Sequence, residues 1–158
     1  MCVSPYVQDH YADDFAWCYG CGRLNEHGHH FRTRWDGDVT VTEAQPEPMY
    51  TAVPGFVYGG YLACLVDCHS TGSGALALLR ARGGKLGDGT PVPRCVTASL
   101  HVEYRKPTPM GASLRAMGRV VEVSDRKAVI ETQVFAGDTV CVEARAVVVS
   151  VPDAMRPQ

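Results

Sequence analysis

The chain has 158 residues, with 15 Lys and Arg against 17 Asp and Glu and a formal net charge of −2. This length fits one domain whose folding buries roughly two thirds of the unfolded chain's surface. The balanced charge argues against the positive field that attracts nucleic acid or an anionic membrane, so small molecules or other subunits are the expected partners. We predict a single domain over residues 1–158, with a core at about 15–151 and an N-terminal arm at 1–14.

The sequence also bears on where the protein acts. We find no apolar run of the roughly 20 residues that a membrane span needs, and the first residues lack the basic start and apolar core of a signal peptide. Seven cysteines are an odd number for a secreted disulfide framework and fit a reducing compartment. We therefore expect a cytoplasmic protein without membrane contact, in which four cysteines with apolar neighbours (Cys64, Cys68, Cys95 and Cys141) are core residues.

The first half of the chain contains the predicted helix. The arm is expected to be mobile or a short helical turn, and a Gly- and His-rich loop follows it at 18–30. Residues 31–45 are typical of a hairpin around Asp36-Gly37. Apolar and small residues at three- and four-residue spacing then predict one long helix from Tyr61 to about Arg82, which Gly72 and Gly74 could bend or divide.

The second half is predicted to be strands. From residue 96 to 105, Val96 and the even-numbered residues alternate with Thr97 and the odd-numbered ones, as in a half-buried strand. Three further extended runs follow, and short polar turns at 124–127 and 136–138 separate them, which favours an antiparallel meander. We predict an α+β fold in which an antiparallel sheet of five to six strands wraps around the helix.

Three residues near the start of the predicted helix have the chemistry of a catalytic site. Gly59 and Gly60 leave backbone N–H groups accessible at the positive end of the helix, where they could polarise a carbonyl. Asp67 could act as a general base on water or as a nucleophile. It could also be a structural carboxylate, and the glycines could instead serve close packing between subunits.

The spacing of these residues predicts a dimer. Gly59 and Asp67 are about 12 Å apart along one helix, so they cannot both reach one carbonyl. If two helices lie antiparallel across a two-fold axis, the glycines of one subunit face the Asp of the other. We therefore expect a homodimer, or a dimer of dimers, with equivalent sites at the interface.

Three stretches, CYGCGRLNEHG, PGFVYGGYLACLVD and VTASLHVEYRKPTP, together resemble the hotdog-fold acyl-CoA thioesterases of the His-Gly-Gly group, similar to the phenylacetyl-CoA thioesterase family. The resemblance covers residues 15 to 151 and implies hydrolysis of an acyl-CoA thioester without a cofactor. It implies that Asp67 is the catalytic carboxylate, that the Gly59 N–H polarises the carbonyl, and that Thr97 helps position water. It also implies substrate contacts for Tyr58 and Gly60, with four basic residues as candidates for coenzyme A (Arg105 and Lys106, and more weakly Arg126 and Lys127).

The chain departs from the family pattern at two positions. Tyr58 replaces the motif histidine, and Ala52 stands where some members have an Asn. Because the proposed donors at the glycines are backbone groups, the site can still work with a changed pocket wall. The alternative is a non-catalytic hotdog module that binds acyl-CoA or another apolar ligand.

Two other features have simpler interpretations. Cys18-x-x-Cys21 followed by three histidines (His27, His29 and His30) has ligand types that suit zinc, but a second half-site built from these histidines would need unusual spacing. We interpret this segment as a packing loop and predict no metal. His69 points about 200° away from Asp67 around the helix, so we expect a core or interface histidine.

Overall fold

The structure is a computed structural model, and it describes residues 2–156. Within these residues it contains one α-helix, six strands and three short 3₁₀ helices. The α-helix is α1 (Gly59–Ala81), and the strands are β1 (Thr33–Asp36), β2 (Val39–Ala44), β3 (Cys95–Tyr104), β4 (Leu114–Val123), β5 (Lys127–Ala136) and β6 (Thr139–Ser150). The 3₁₀ helices are Val7–His10, Asp13–Phe15 and Asp153–Met155.

The strands form one antiparallel sheet in the order β1-β2-β4-β5-β6-β3. The predicted meander corresponds to β4, β5 and β6, and the predicted hairpin is β1 and β2. Strand β3 does not join the meander in chain order but lies at the far edge beside β6. Because α1 packs against β1 through β6, the sheet wraps around it, which confirms the predicted α+β fold.

Helix α1 begins two residues before the predicted start and continues for 23 residues without a break. Gly72 and Gly74 do not divide it, because they lie where the sheet comes closest. A Cβ at Gly72 would lie 2.7 Å from Thr33 Oγ1, and one at Gly74 would lie 2.3 Å from Val148 Cγ2. These two glycines therefore set how closely the sheet packs on the helix.

The prediction that no segment is long and apolar enough to span a membrane was wrong for α1. By length and composition this helix could cross a bilayer, although 83% of its most apolar window is buried inside the fold. A helix that is apolar on all sides suits a core that surrounds it. Wrapping by the sheet thus accounts for the composition of α1.

The N-terminal arm packs on the domain through two helical turns, Val7–His10 and Asp13–Phe15. Val7 and Tyr11 are buried in the core. The buried Gln8 side-chain amide donates to Thr33 Oγ1 at 3.2 Å and its carbonyl accepts from the Thr33 N–H at 2.7 Å. These contacts join the arm to β1, and the predicted short helical turn is confirmed.

His69 lies fully buried between α1 and the β2 strand, as expected for a core histidine. Its Nδ1 is 2.8 Å from Thr42 Oγ1, and its Nε2 is 3.4 Å from both Thr40 Oγ1 and Ser73 Oγ. Burial without a charged partner lowers the pKa of His69 to about 3. The imidazole is therefore neutral in the folded state at physiological pH.

We expect this histidine to make folding pH-dependent. Because its folded pKa lies below the unfolded value of 6.5, the unfolded state binds more protons below pH 6.5. The His69 contribution is therefore constant above pH 6.5. As the pH is lowered from 6 to 4, this histidine lowers the free energy of unfolding by about 1.4 kcal/mol per pH unit. Urea denaturation at several pH values measures this slope for the wild type and for His69→Asn. An equally steep slope in His69→Asn would contradict the assignment.

Candidate active site

Asp67 lies in the middle of α1, half-buried, facing the first half of β3. The Thr97 hydroxyl donates a hydrogen bond to Asp67 Oδ1 at 2.5 Å. This contact joins the central helix to the edge strand and orients the carboxylate. Two residues predicted as catalytic, 30 positions apart in the chain, therefore lie together.

A β-bulge in β3 produces this contact. Thr97 pairs with Val148 and Ser99 pairs with Val147, so Ala98 is an extra residue opposite β6. The bulge reverses the alternation, and Thr97 faces the helix like Leu100, which packs in the core. The predicted strict alternation, with these two residues on opposite faces, was wrong because a period of two cannot include an inserted residue.

The start of α1 is fixed by the other end of β3. The Tyr104 hydroxyl donates to the Gly59 carbonyl at 2.8 Å, and its ring lies so close that a Cβ at Gly59 would be 3.2 Å from it. Tyr58, the N-cap residue, has no side-chain capping bond, and the first N–H groups of a helix lack partners within it. Gly59 therefore presents backbone donors at the positive end of the helix.

The second glycine accommodates the residue that replaces the motif histidine. A Cβ at Gly60 would lie 2.3 Å from Cε2 of the Tyr58 ring. The same ring is 6.4 Å from that of Tyr50 and remains 40% exposed. Each glycine of the pair is thus covered by one aromatic ring, Tyr104 for Gly59 and Tyr58 for Gly60.

An open groove of about 540 Å³ lies beside Gly59. Its walls are mainly apolar, formed by residues before the helix and by Leu62, and its rim includes Arg105, Lys106 and Ala52. Arg105 is paired with Glu103 and with Glu143. The structure therefore brings two predicted substrate residues, Arg105 and Lys106, to the start of the helix.

The two weaker basic candidates lie elsewhere, at the turn between β4 and β5. Lys127 is paired with Glu122 at 2.7 Å. Arg126 lines a separate hollow of about 390 Å³ with Arg82 and Arg94 near the end of α1. Within one chain these two side chains are therefore not part of the groove beside Gly59.

An aromatic cluster next to the helix start was not foreseen from the sequence. The His29 ring lies 4.9 to 5.1 Å from the rings of four aromatic residues, which are Tyr19, Phe31, Tyr50 and Tyr61. Desolvation lowers the pKa of His29 and raises that of Tyr61 to about 12. The sequence signal was the density of aromatic residues in three separate segments, but their convergence depends on the fold.

The Cys18 and Cys21 pair of the N-terminal loop does not meet the histidines that the sequence offered as a second half-site. His29 is committed to the aromatic cluster, and His30 Nε2 lies 2.6 Å from the Asn25 carbonyl oxygen. By contrast, the Cys18, Cys21 and Cys68 sulfurs all lie within 4.8 Å of one another. The group that could hold a metal thus combines the loop with the central helix.

The six-stranded antiparallel sheet wrapped around one helix defines a hotdog fold, and comparisons with known proteins agree. The model of the thioesterase superfamily matches residues 54–143. A thioesterase superfamily protein from Shewanella loihica is 38% identical and has a TM-score of 0.66, with 81% of this chain and 96% of that one covered. A Streptococcus mutans protein, solved with acetyl-CoA bound, shares the fold at 17% identity and a TM-score of 0.61, covering 82% and 96% of the two chains.

A curated relative, acyl-coenzyme A thioesterase THEM4 of Xenopus laevis, is 32% identical over 94 residues. The match covers 60% of this chain and 36% of that protein, so the chain spans about a third of the relative's length. The extent of the family match and the Shewanella likeness together show that the chain belongs to the thioesterase superfamily. This membership confirms the family resemblance found in the sequence.

We expect the Tyr104 hydroxyl to stabilise the helix start. Tyr104→Phe keeps the ring beside Gly59 but removes the bond to the Gly59 carbonyl. The free energy of unfolding, measured by urea denaturation, should fall by about 0.5 to 1 kcal/mol, the usual net value of one hydrogen bond. Tyr58→Phe, which keeps the ring over Gly60, is the matched control and should leave stability unchanged. Equal stability of both variants would contradict a role for the Tyr104 bond.

Proposed function

We propose that the chain hydrolyses acyl-CoA thioesters, with Asp67 as the catalytic carboxylate. The observation that carries this proposal is the hydrogen bond from Thr97 to a half-buried Asp67 in a member of the thioesterase superfamily. A carboxylate held by one donor at Oδ1 keeps Oδ2 free to accept a proton from water or to attack a carbonyl. The Thr97 oxygen retains lone pairs that can orient the same water.

The polarising group in this proposal is the Gly59 N–H. Its peptide begins the helix, where the dipole favours a developing negative charge. Tyr104 holds the Gly59 carbonyl from the strand side, which limits movement of the helix start. Because Gly59 has no side chain, the Tyr104 ring packs against this peptide, while the N–H at the helix start has no side-chain cap.

Completion of this site requires a second subunit. Gly59 and Asp67 are separated by about 12 Å along α1, and a carbonyl cannot touch both. Strand β3 is ten residues long and lies at the sheet edge, which leaves backbone groups on one side for pairing with another chain. A homodimer formed through this edge would bring Gly59 of one subunit close to Asp67 of the other.

The contacts of β3 suggest its pairing register. Thr97 marks the position of Asp67 and Tyr104 marks that of Gly59, because each is hydrogen-bonded to it. If two β3 strands pair antiparallel with the two-fold axis at His101, and Ala98 stays outside the ladder as the bulged residue, then Tyr104 of one strand lies opposite Thr97 of the other. Gly59 of each subunit then faces Asp67 of its partner, forming two equivalent sites.

The groove beside Gly59 suits an acyl-CoA. Its apolar walls can accommodate acyl or pantetheine carbons, and Arg105 and Lys106 at its rim can bind phosphate. The Xenopus relative is named an acyl-coenzyme A thioesterase, and the Streptococcus structure contains acetyl-CoA, which supports this substrate class. Arg126 and Lys127 stay candidates that a partner subunit would supply.

Activity assays test the role of Asp67 directly. We expect the wild type to release free coenzyme A from a panel of acetyl-CoA, longer aliphatic acyl-CoA and aryl acyl-CoA esters. Asp67→Asn should lower kcat at least about 100-fold, the scale of a general base. Asp138→Asn, at an exposed turn, is the carboxylate control and should retain full activity. Turnover that survives in Asp67→Asn would refute the role, and binding without release would indicate a ligand-binding module.

Thr97 provides a second, graded test of the same site. Thr97→Val should lower kcat about tenfold through loss of one hydrogen bond, and Thr97→Ser should restore most of the rate because it keeps the hydroxyl. Equal rates for the Val and Ser variants would contradict a role for this hydroxyl.

Cysteine cross-linking tests the proposed dimer. In a Cys2→Ser background, His101→Cys should form an intermolecular disulfide on mild oxidation, because the two-fold axis brings this exposed residue close to its counterpart. Gln133→Cys, exposed on central strand β5, is the control and should stay unlinked. A strict monomer by light scattering, or cross-linking at residue 133 alone, would refute the β3 interface.

A further inference from the structure

Two pairs of cysteines from distant parts of the chain converge beside the central helix. Cys18 and Cys21 lie in the turn that follows the N-terminal arm. Cys64 and Cys68 are four residues apart on α1 and therefore project from the same face of the helix. The loop packs on this face, so a C-x₂-C half-site on the loop and a C-x₃-C half-site on the helix face one another.

The distances among the sulfurs match those of a shared metal. Cys18, Cys21 and Cys68 have sulfurs that all lie within 4.8 Å of one another, and the Cys18 and Cys68 sulfurs are 3.9 Å apart. Zinc bound tetrahedrally at 2.3 Å from each sulfur separates its sulfurs by about 3.8 Å. A disulfide would need about 2.05 Å, and all of these cysteines are free thiols.

The fourth sulfur lies next to this group. A Cβ at Gly20 would be 2.2 Å from the Cys68 sulfur and 3.0 Å from the Cys64 sulfur, so both sulfurs lie against the same point of the loop. Cys64 lies outside the group of three, so a four-cysteine site requires its side chain to take a rotamer that brings the sulfur to the other three. Its half-buried position leaves room for this movement.

The backbone of the turn is folded around its first cysteine. The Gly22 N–H donates to the Cys18 carbonyl at 2.7 Å, and a Cβ at Gly22 would lie 2.5 Å from Cys18 N. A Cβ at Gly20 is excluded by Cys68, as above. Both glycines therefore allow a tight turn that brings two thiols to one side, as a metal-binding half-site requires.

We propose that Cys18, Cys21, Cys64 and Cys68 bind one zinc ion in a structural site. Four soft thiolates in a tetrahedral arrangement select zinc over harder cations, and a closed set of four protein ligands leaves no position for substrate. The ion fastens the N-terminal loop to α1 directly beside Asp67, since Cys68 is the next residue. The sequence-based expectation of no metal considered only histidines as the second half-site, whereas the helix supplies cysteines.

Metal analysis tests the site without reference to activity. Reduced protein, purified without chelator and then saturated with Zn²⁺ and desalted, should contain one zinc per chain by mass spectrometry. Cobalt(II) in place of zinc should give the thiolate charge-transfer and intense d–d bands of a tetrahedral sulfur site. Cys18→Ser and Cys68→Ser should abolish stoichiometric binding, Cys64→Ser should weaken it at least tenfold, and exposed Cys2→Ser should bind normally.

A measurement on the wild type keeps the test independent of whether variants fold. Beyond buried Cys95 and Cys141, zinc should protect four thiols from a thiol reagent, and a chelator should expose these four and lower the melting temperature. The proposal is overturned if reduced protein takes up neither zinc nor cobalt, if binding survives in Cys18→Ser, or if only three thiols are protected. Loss of zinc binding in a variant that still hydrolyses acyl-CoA would separate this site from the catalytic one.

Discussion

Burial of most of α1 within one curved sheet is the constraint on which the rest of the structure depends. A helix surrounded by strands must be apolar around its whole circumference, and it must have small residues where strands approach most closely, as at Gly72 and Gly74. Polar groups on such a helix need partners. His69 finds hydroxyls on β2, and Asp67 finds the Thr97 hydroxyl on β3. The catalytic carboxylate in our proposal is thus positioned by the requirement that polar groups on this helix be satisfied.

The ends of α1 and β3 are linked in the same way. Tyr104 binds the carbonyl of the first helical residue, and Thr97 binds a carboxylate two turns later. One edge strand therefore contacts both groups of the proposed reaction, the peptide of Gly59 and the carboxylate of Asp67. The glycine pair is explained by two rings, because Gly59 lies under Tyr104 and Gly60 under Tyr58. Accessible backbone and close aromatic packing are compatible here, since neither glycine has a side chain to interfere.

Sequence patterns predicted the class of each element because they depend on local periodicity. The helix, the hairpin and the meander follow from spacing and turn residues, and the separate roles of Asp67 and Thr97 in one site were inferred from a family resemblance. Three features were not accessible in this way. The edge position of β3 depends on sheet order, and the reversed phase at Thr97 depends on a bulge. The meeting of Cys18 with Cys68 depends on loop packing between residues 50 positions apart.

The bulge in β3 decides whether this strand presents the Thr97 hydroxyl to Asp67. A strand that kept all of these residues but formed no bulge would still place Leu100 and Val102 in the core, because their pairing with β6 is unaffected. Regular alternation of side chains before Leu100 would then turn the Thr97 hydroxyl away from the helix, leaving Asp67 without its donor. Among chains that share this fold and have a hydroxyl residue three positions before the core residue of β3, a bulge at this point would therefore distinguish a strand that positions a carboxylate from one that only closes the sheet.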